Sequence, residues 1–254
     1  MQKRVLSVSI TFMQKVATVK ENTQGNTNDL VEKMFSAGVH YGYSKTRRHP
    51  SLSSYIYATK KKTDIIDLEK TSVMLAEALE FVKELGSKNK VILFVGTKPE
   101  AKNAVEEMAL SLNMPYVTER WIGGIISNFS EIKKRIALLE NYRKEVAIGE
   151  LEKYTKKERV VMAKKMDRLS RYYSGLVGLK KAPDAMFIID SKAEHIAQTE
   201  AKNSSVPTIA LLNSDSDINL VDYPIVGNDT GIPSIKFFTT AISSAYKKGQ
   251  GSVK

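Results

Sequence analysis

Apolar and polar positions follow two rhythms along this chain. The runs at 91–95, 185–189 and 208–212 carry no charged residue, as expected of strands buried on both faces. Shorter runs at 115–117 and 224–226 extend the set. Helical patterns fall between them, at 71–85, 100–112, 193–203 and 234–246. In the first of these Val73, Leu75, Ala76, Leu79 and Val82 mark the expected apolar side. A short helix is expected over 29–37, where Asp29 is a start signal, Leu30, Met34 and Phe35 recur at helical spacing, and Gly38 follows. Strand and helix in alternation imply right-handed crossovers and a doubly wound α/β sheet. Two more strands, 55–59 and 64–68, flank Lys60, Lys61 and Lys62, which places these lysines at a hairpin tip.

The rhythm changes over 128–176. Ile132, Ile136, Leu139 and Val146 step by 4, 3 and 7, and Met162, Met166, Leu169, Tyr173 and Leu176 step by 4, 3, 4 and 3. These are narrow heptad seams. Thr155 and Glu158 form a capping box at the start of the second helix. Two helices of about 30 Å each, separated by a break after Gly149, fold back as an antiparallel hairpin. The narrow seam predicts that they bury chiefly against each other and project from the sheet. A hairpin packed on the sheet would need a wider apolar stripe.

Composition narrows the function classes. The chain has 254 residues and no cysteine, which excludes disulfides, thiolate metal sites and a cysteine nucleophile. No run approaches the roughly 18 apolar residues of a membrane helix. With 39 Lys+Arg against 28 Asp+Glu, the net charge is +11. That surplus is localised. Residues 1–62 carry 11 basic and 3 acidic side chains, and residues 131–181 carry 15 and 7, whereas the two remaining segments are mildly acidic. An acidic body with two basic attachments suggests contact with a polyanion; solvated lysine-rich faces are the alternative. The first 28 residues are basic and hydroxyl-rich, readable as a flexible arm, a transit peptide, or a segment preceding a start at Met13.

Catalytic signatures are weak. Gly96-Thr97-Lys98 follows a strand and opens a helix, where open α/β sheets bind ligands, but it completes neither a Walker loop nor a dinucleotide fingerprint. Lys98 there reads as a backbone-phosphate contact or a plain loop residue. Asp190, Asp215 and Asp217 lie at strand ends, where carboxylates hold Mg²⁺ or, more often, cap turns; they are weak metal candidates. His195 has no nucleophile motif near it. No cofactor is expected, and no enzyme. In Glu119-Arg120-Trp121-Ile122-Gly123-Gly124, the sole tryptophan reads as a core anchor and Arg120 as an RNA contact.

Several motifs then fall in a fixed order: His40-Tyr41-Gly42, Arg48-His49-Pro50, Asp67 to Thr71, Phe94 to Lys98, Arg120 to Gly124 with Asn128, Pro183-Asp184-Ala185 to Asp190, Glu194 to Ala197 with Glu200-Ala201, and Gly227-Asn228-Asp229. Together they closely resemble the small-subunit ribosomal protein S-two family in its bacterial and organellar form, over residues 29–246. Tyr43 and Arg48-His49-Pro50 depart from that pattern, which commonly has a second histidine and Trp-Asn-Pro.

The resemblance implies a flavodoxin-like α/β domain (29–127 and 177–248) with an inserted coiled-coil hairpin (128–176); residues 1–28 have no counterpart in the family and are expected to form a flexible basic arm, and 249–254 a loose tail. It implies a structural role on the small ribosomal subunit, binding 16S-type rRNA and helping to recruit the large mRNA-binding first protein. The expected setting is the cytoplasm, with an organellar ribosome as the alternative, and neither a membrane nor a homo-oligomer is implied. The candidate RNA contacts are Lys45, Arg47, Arg48, Lys60, Lys61, Lys62, Lys98 and Arg120, with Lys133, Lys134, Arg135, Lys156, Lys157 and Arg159 on the hairpin.

Overall fold

A computed structural model of the chain describes residues 24–251. A helix, α1 (Gln24–Ser36), opens the described region and leads into a three-stranded antiparallel sheet of β1 (Tyr41–Ser44), β2 (Ile56–Lys60) and β3 (Thr63–Ile66), in the order β1-β3-β2. The sequence reading missed β1, because Tyr41-Gly42-Tyr43-Ser44 has no apolar alternation. The arm expected over 1–28 lies outside the described residues up to position 23; α1 starts before the predicted 29, and Asp29 forms an i,i+4 pair with Lys33.

The main body alternates as predicted. It contains α2 (Leu68–Ser87), β4 (Ile92–Val95), α3 (Pro99–Leu112), β5 (Tyr116–Val117), α4 (Phe129–Ile148), α5 (Lys156–Tyr173), β6 (Ala185–Ile189), α6 (His195–Asn203), β7 (Thr208–Leu212), β8 (Tyr223–Val226) and α7 (Ile232–Gly251). Five strands pair in parallel in the order β5-β4-β6-β7-β8. Counted within this sheet the order is 2-1-3-4-5, the flavodoxin-like winding.

Successive strand residues alternate between the two faces, so each strand feeds two cores. On one face Phe94, Phe187, Ile209 and Leu211 meet α2, α3 and α7. On the other Val95, Ile188, Ala210 and Leu212 meet α6 and the roots of α4 and α5. Leu75 and Val82 on the expected apolar side of α2 are buried, but Val73 and Ala76 are exposed and Met74, Ala78 and Leu85 are buried instead, on a helix that starts at Leu68 behind its Asp67 cap.

Two glycines bring α2 and α7 together backbone to backbone. A Cβ on Gly86 would lie 2.3 Å from the Tyr246 carbonyl oxygen, and one on Gly249 2.2 Å from that of Lys83. This contact keeps α7 helical as far as Gly251, where a loose tail was expected from 249.

The seams of α4 and α5 also behave differently from expectation. Ile132, Ile136, Leu139, Tyr173 and Leu176 belong to the core on the second face of the sheet. The root of the helical pair therefore packs on the sheet as well as on itself. Farther out, Val146, Ile148, Val160 and Val161 are exposed.

Candidate nucleic-acid interface

The loop from 120 to 128 decides where α4 leaves the sheet. It wraps around one carboxylate, that of Glu200 on α6. Glu200 Oε1 accepts from the amides of Ile126 and Ser127 at 2.9 Å each, from Gly124 at 3.0 Å, and from the Ser127 hydroxyl at 2.9 Å. Its Oε2 accepts from Trp121 Nε1 at 2.9 Å. Burial raises the carboxyl pKa, but these donors outweigh burial and hold Glu200 below the usual carboxylate range. Gly124 takes φ +97°, a turn that an L side chain resists. Trp121 is buried, in keeping with its reading as an anchor.

This loop forms one wall of a cleft of about 510 Å³, and α4 and α5 form the other. Arg120, Arg135, Lys165 and Arg168 line it beside Leu169 and Tyr172, and no acidic residue does. All four cations are exposed. The sequence reading found Arg120 and Arg135 but missed Lys165 and Arg168. The signal was there: Lys165, Arg168 and Tyr172 step by 3 and 4, which puts them on one helical face.

The other outward-facing predicted cations fall into four settings. Lys45, Lys60, Lys61 and Lys62 meet at one end of the small sheet, where the Lys45 amide donates to the Lys62 carbonyl at 2.9 Å. The tip residues Lys61 and Lys62 take φ of +50° and +67°. A two-residue turn with both φ positive normally uses Asn-Gly, so two lysines there are held in an uncommon conformation with their side chains exposed. Arg47 lies beside the Tyr43 ring, 5.7 Å from its centroid. Lys133 and Lys134 project from α4, and Lys134 pairs with Glu131 at 2.5 Å. Lys156, Lys157 and Arg159 occupy the first turn of α5, where the helix dipole disfavours cations. The Thr155–Glu158 capping box is formed as predicted and offsets part of that cost.

Two predicted contacts face inward instead. Arg48 grips the buried Asp64 with two guanidinium donors, Nε at 2.7 Å and Nη2, and Nη2 also reaches Thr59. That guanidinium holds the Asp64 carboxyl below the usual range. Lys98 Nζ lies 2.5 Å from Asp190 and 2.6 Å from Asp229, and donates to the Tyr43 hydroxyl at 3.3 Å. Burial alone would lower the Lys98 pKa, but the two aspartates more than offset it and raise it. Burial pushes the deeper carboxyl, Asp229, up, and the nearby Asp190 adds to this, while Lys98 and Asn213 oppose it. Thr97 in turn donates its amide to Glu194 at 3.2 Å. The edge where open sheets bind ligands is thus filled by the chain's own side chains.

The three aspartates read as weak metal candidates have other partners here. Asp190 also accepts from the Lys192 and Ala193 amides, Asp215 pairs with Lys192 at 2.9 Å, and Asp217 caps a turn through Asn219. Among the described residues no group of three or more His, Asp or Glu is placed to hold a metal ion. No helix among them is long and apolar enough to cross a membrane.

Comparison with known proteins settles the lineage. The family model described as "Ribosomal protein S2" matches residues 34–249. The chain belongs to the ribosomal protein S2 family. That family is structural rather than enzymatic. Among its relatives is the small ribosomal subunit protein uS2 of Thermus thermophilus, 40% identical over 223 residues, covering 88% of this chain and 87% of that protein. The uS2 protein of Helicobacter hepaticus is 39% identical over 224 residues, covering 88% and 85%. That of Bdellovibrio bacteriovorus is 39% identical over 219 residues, covering 86% and 70%.

Proposed function

We propose that this chain is a structural constituent of the small ribosomal subunit that binds small-subunit rRNA through its outward cations. The observation that carries the reading is the separation of its positive charge into two kinds. Lys98 and Arg48 are matched by buried carboxylates, whereas Arg120, Arg135, Lys165 and Arg168 line an exposed cleft that no carboxylate lines, and of the four only Arg135 is reached by a described acid, the exposed Glu131 one turn away on α4. Exposed cations without an internal counter-charge are what a phosphate backbone neutralises, with release of counterions.

In this reading 29–127 and 177–248 form the body, and 128–176 is an inserted coiled-coil hairpin whose outer half reaches RNA. Neighbouring small-subunit proteins, including the large mRNA-binding first protein, are its protein partners. It needs no cofactor, works in the cytoplasm and does not pair with itself.

Sucrose-gradient sedimentation of lysate, blotted for the chain, tests this. At low salt the chain travels with the small subunit, and raising the salt releases it. A chain that stays at the top of the gradient at every salt concentration contradicts the proposal.

A further inference from the structure

The cleft at the hairpin root has a shape and chemistry more specific than a basic surface. We infer that it seats a single unpaired RNA nucleotide, with its phosphate on the arginines and its base against Tyr172. This rests on the RNA-binding reading above and deepens it.

The cleft, of about 510 Å³, is open on one side and large enough for one nucleotide to rest in without being enclosed. Arg120 comes from the loop, Arg135 from α4 and Arg168 from α5, so three separate elements converge on one concavity. Guanidinium forks match phosphate oxygens bidentately and also stack on bases. Tyr172 and Leu169 are half-buried beside them, an apolar floor next to a charged rim. Aromatic floor and cationic rim together are the pattern of single-strand recognition, because every unpaired base offers a π-face. An acidic peptide would satisfy the cations but gives no use to the aromatic floor. The loop wall is fixed in advance by the Glu200 carboxylate, so the concavity exists before any ligand arrives.

The test uses the full chain and three probes: a five-nucleotide single-stranded RNA, an abasic strand of the same length and charge, and a glutamate-rich peptide. Trp121 is the only tryptophan and lines the cleft, so its fluorescence reports occupancy. The ordinary strand should change that fluorescence and bind about ten-fold or more tighter than the abasic one, the share expected of one stacked base. Tyr172→Ala should remove that difference and Tyr172→Phe should keep it. Arg120→Ala combined with Arg168→Ala should weaken both strands at least ten-fold. Equal affinity for the two strands overturns the inference, as does an unchanged double variant. Peptide binding as tight as that of the ordinary strand overturns it in favour of a protein partner. If the cleft fails while the wild-type chain still sediments with the small subunit, only this inference falls. If the wild-type chain does not sediment, the reading beneath it falls too.

Discussion

At the carboxyl edge of the parallel sheet, Lys98 sits between Asp190 and Asp229, with its ammonium 5.8 Å from the centroid of the Tyr43 ring. At the root of α4 and α5, Arg168 lines a cleft with Tyr172 and three further cations, and no carboxylate lines it. Both places join positive charge to an aromatic ring, and sequence alone favours Lys98 as an RNA contact over Arg168, which it passes over. They differ in whether the fold supplies the counter-charge. Where it does, the cation holds the protein together. Where it does not, the cation is available to something else. Net charge measures neither; the partner of each cation decides its role.

The sharpest way to break this comparison is to remove the inward cation. Lys98→Met leaves Asp190 and Asp229 buried and uncompensated. Removing one partner of such a cluster costs about 3–5 kcal/mol. At roughly 2–4 °C per kcal/mol for a chain this size, thermal unfolding should fall by about 6–20 °C. The Asp229 carboxyl, already pushed up by burial, loses the lysine that opposes that push and rises further in the folded state, so the deficit should shrink as the pH is lowered. A melt within a degree of wild type would show that the cluster is not structural.

Glu200→Gln is the next largest. An amide presents one donor group to a site made only of donors, and the charge-assisted bonds are lost. We expect a loss of about 2 kcal/mol by denaturant unfolding. The pH dependence has a fixed sign. The folded pKa of Glu200 is lowered, so its contribution is full above the unfolded value, about 4.3, and is lost as the pH falls through the folded value. The gap between wild type and variant should therefore be constant at neutral pH and close below about pH 4. A gap that widens on acidification would contradict the assignment.

The smallest effect belongs to the outward cations. Arg120→Ala with Arg168→Ala should leave stability within about 0.5 kcal/mol of wild type, because the described fold uses neither side chain. A large loss here would erase the distinction from Lys98.

The alternating strands and helices of the body are legible in the sequence because β6 and β7 are buried on both faces and interrupted by no charge. The capping box at Thr155 and Glu158 is legible because it is local. The role of Lys98 is not, since Asp229 lies 131 residues away and only the folded sheet brings them together. Nor is that of Glu200, whose donors begin more than 70 residues earlier in the chain. The heptad seams mark α4 and α5 correctly but overstate their independence. Which neighbour covers Ile132, Ile136 and Leu139 depends on the angle at which the Glu200-bound loop releases α4. The cleft was half visible, through Arg120 and Arg135, because its remaining cations look like a solvated helix face until the loop is set against them.

The most direct test of the central claim is the salt dependence of small-subunit rRNA affinity for the wild type, Lys98→Met and the Arg120→Ala, Arg168→Ala double variant, each measured where circular dichroism shows it folded. The slope of log K against log salt falls by about 0.7–0.9 for each phosphate contact removed. The account predicts a wild-type slope for Lys98→Met and a slope shallower by about 1.5 for the double variant. A reduced slope for Lys98→Met together with an unchanged slope for the double variant would contradict it.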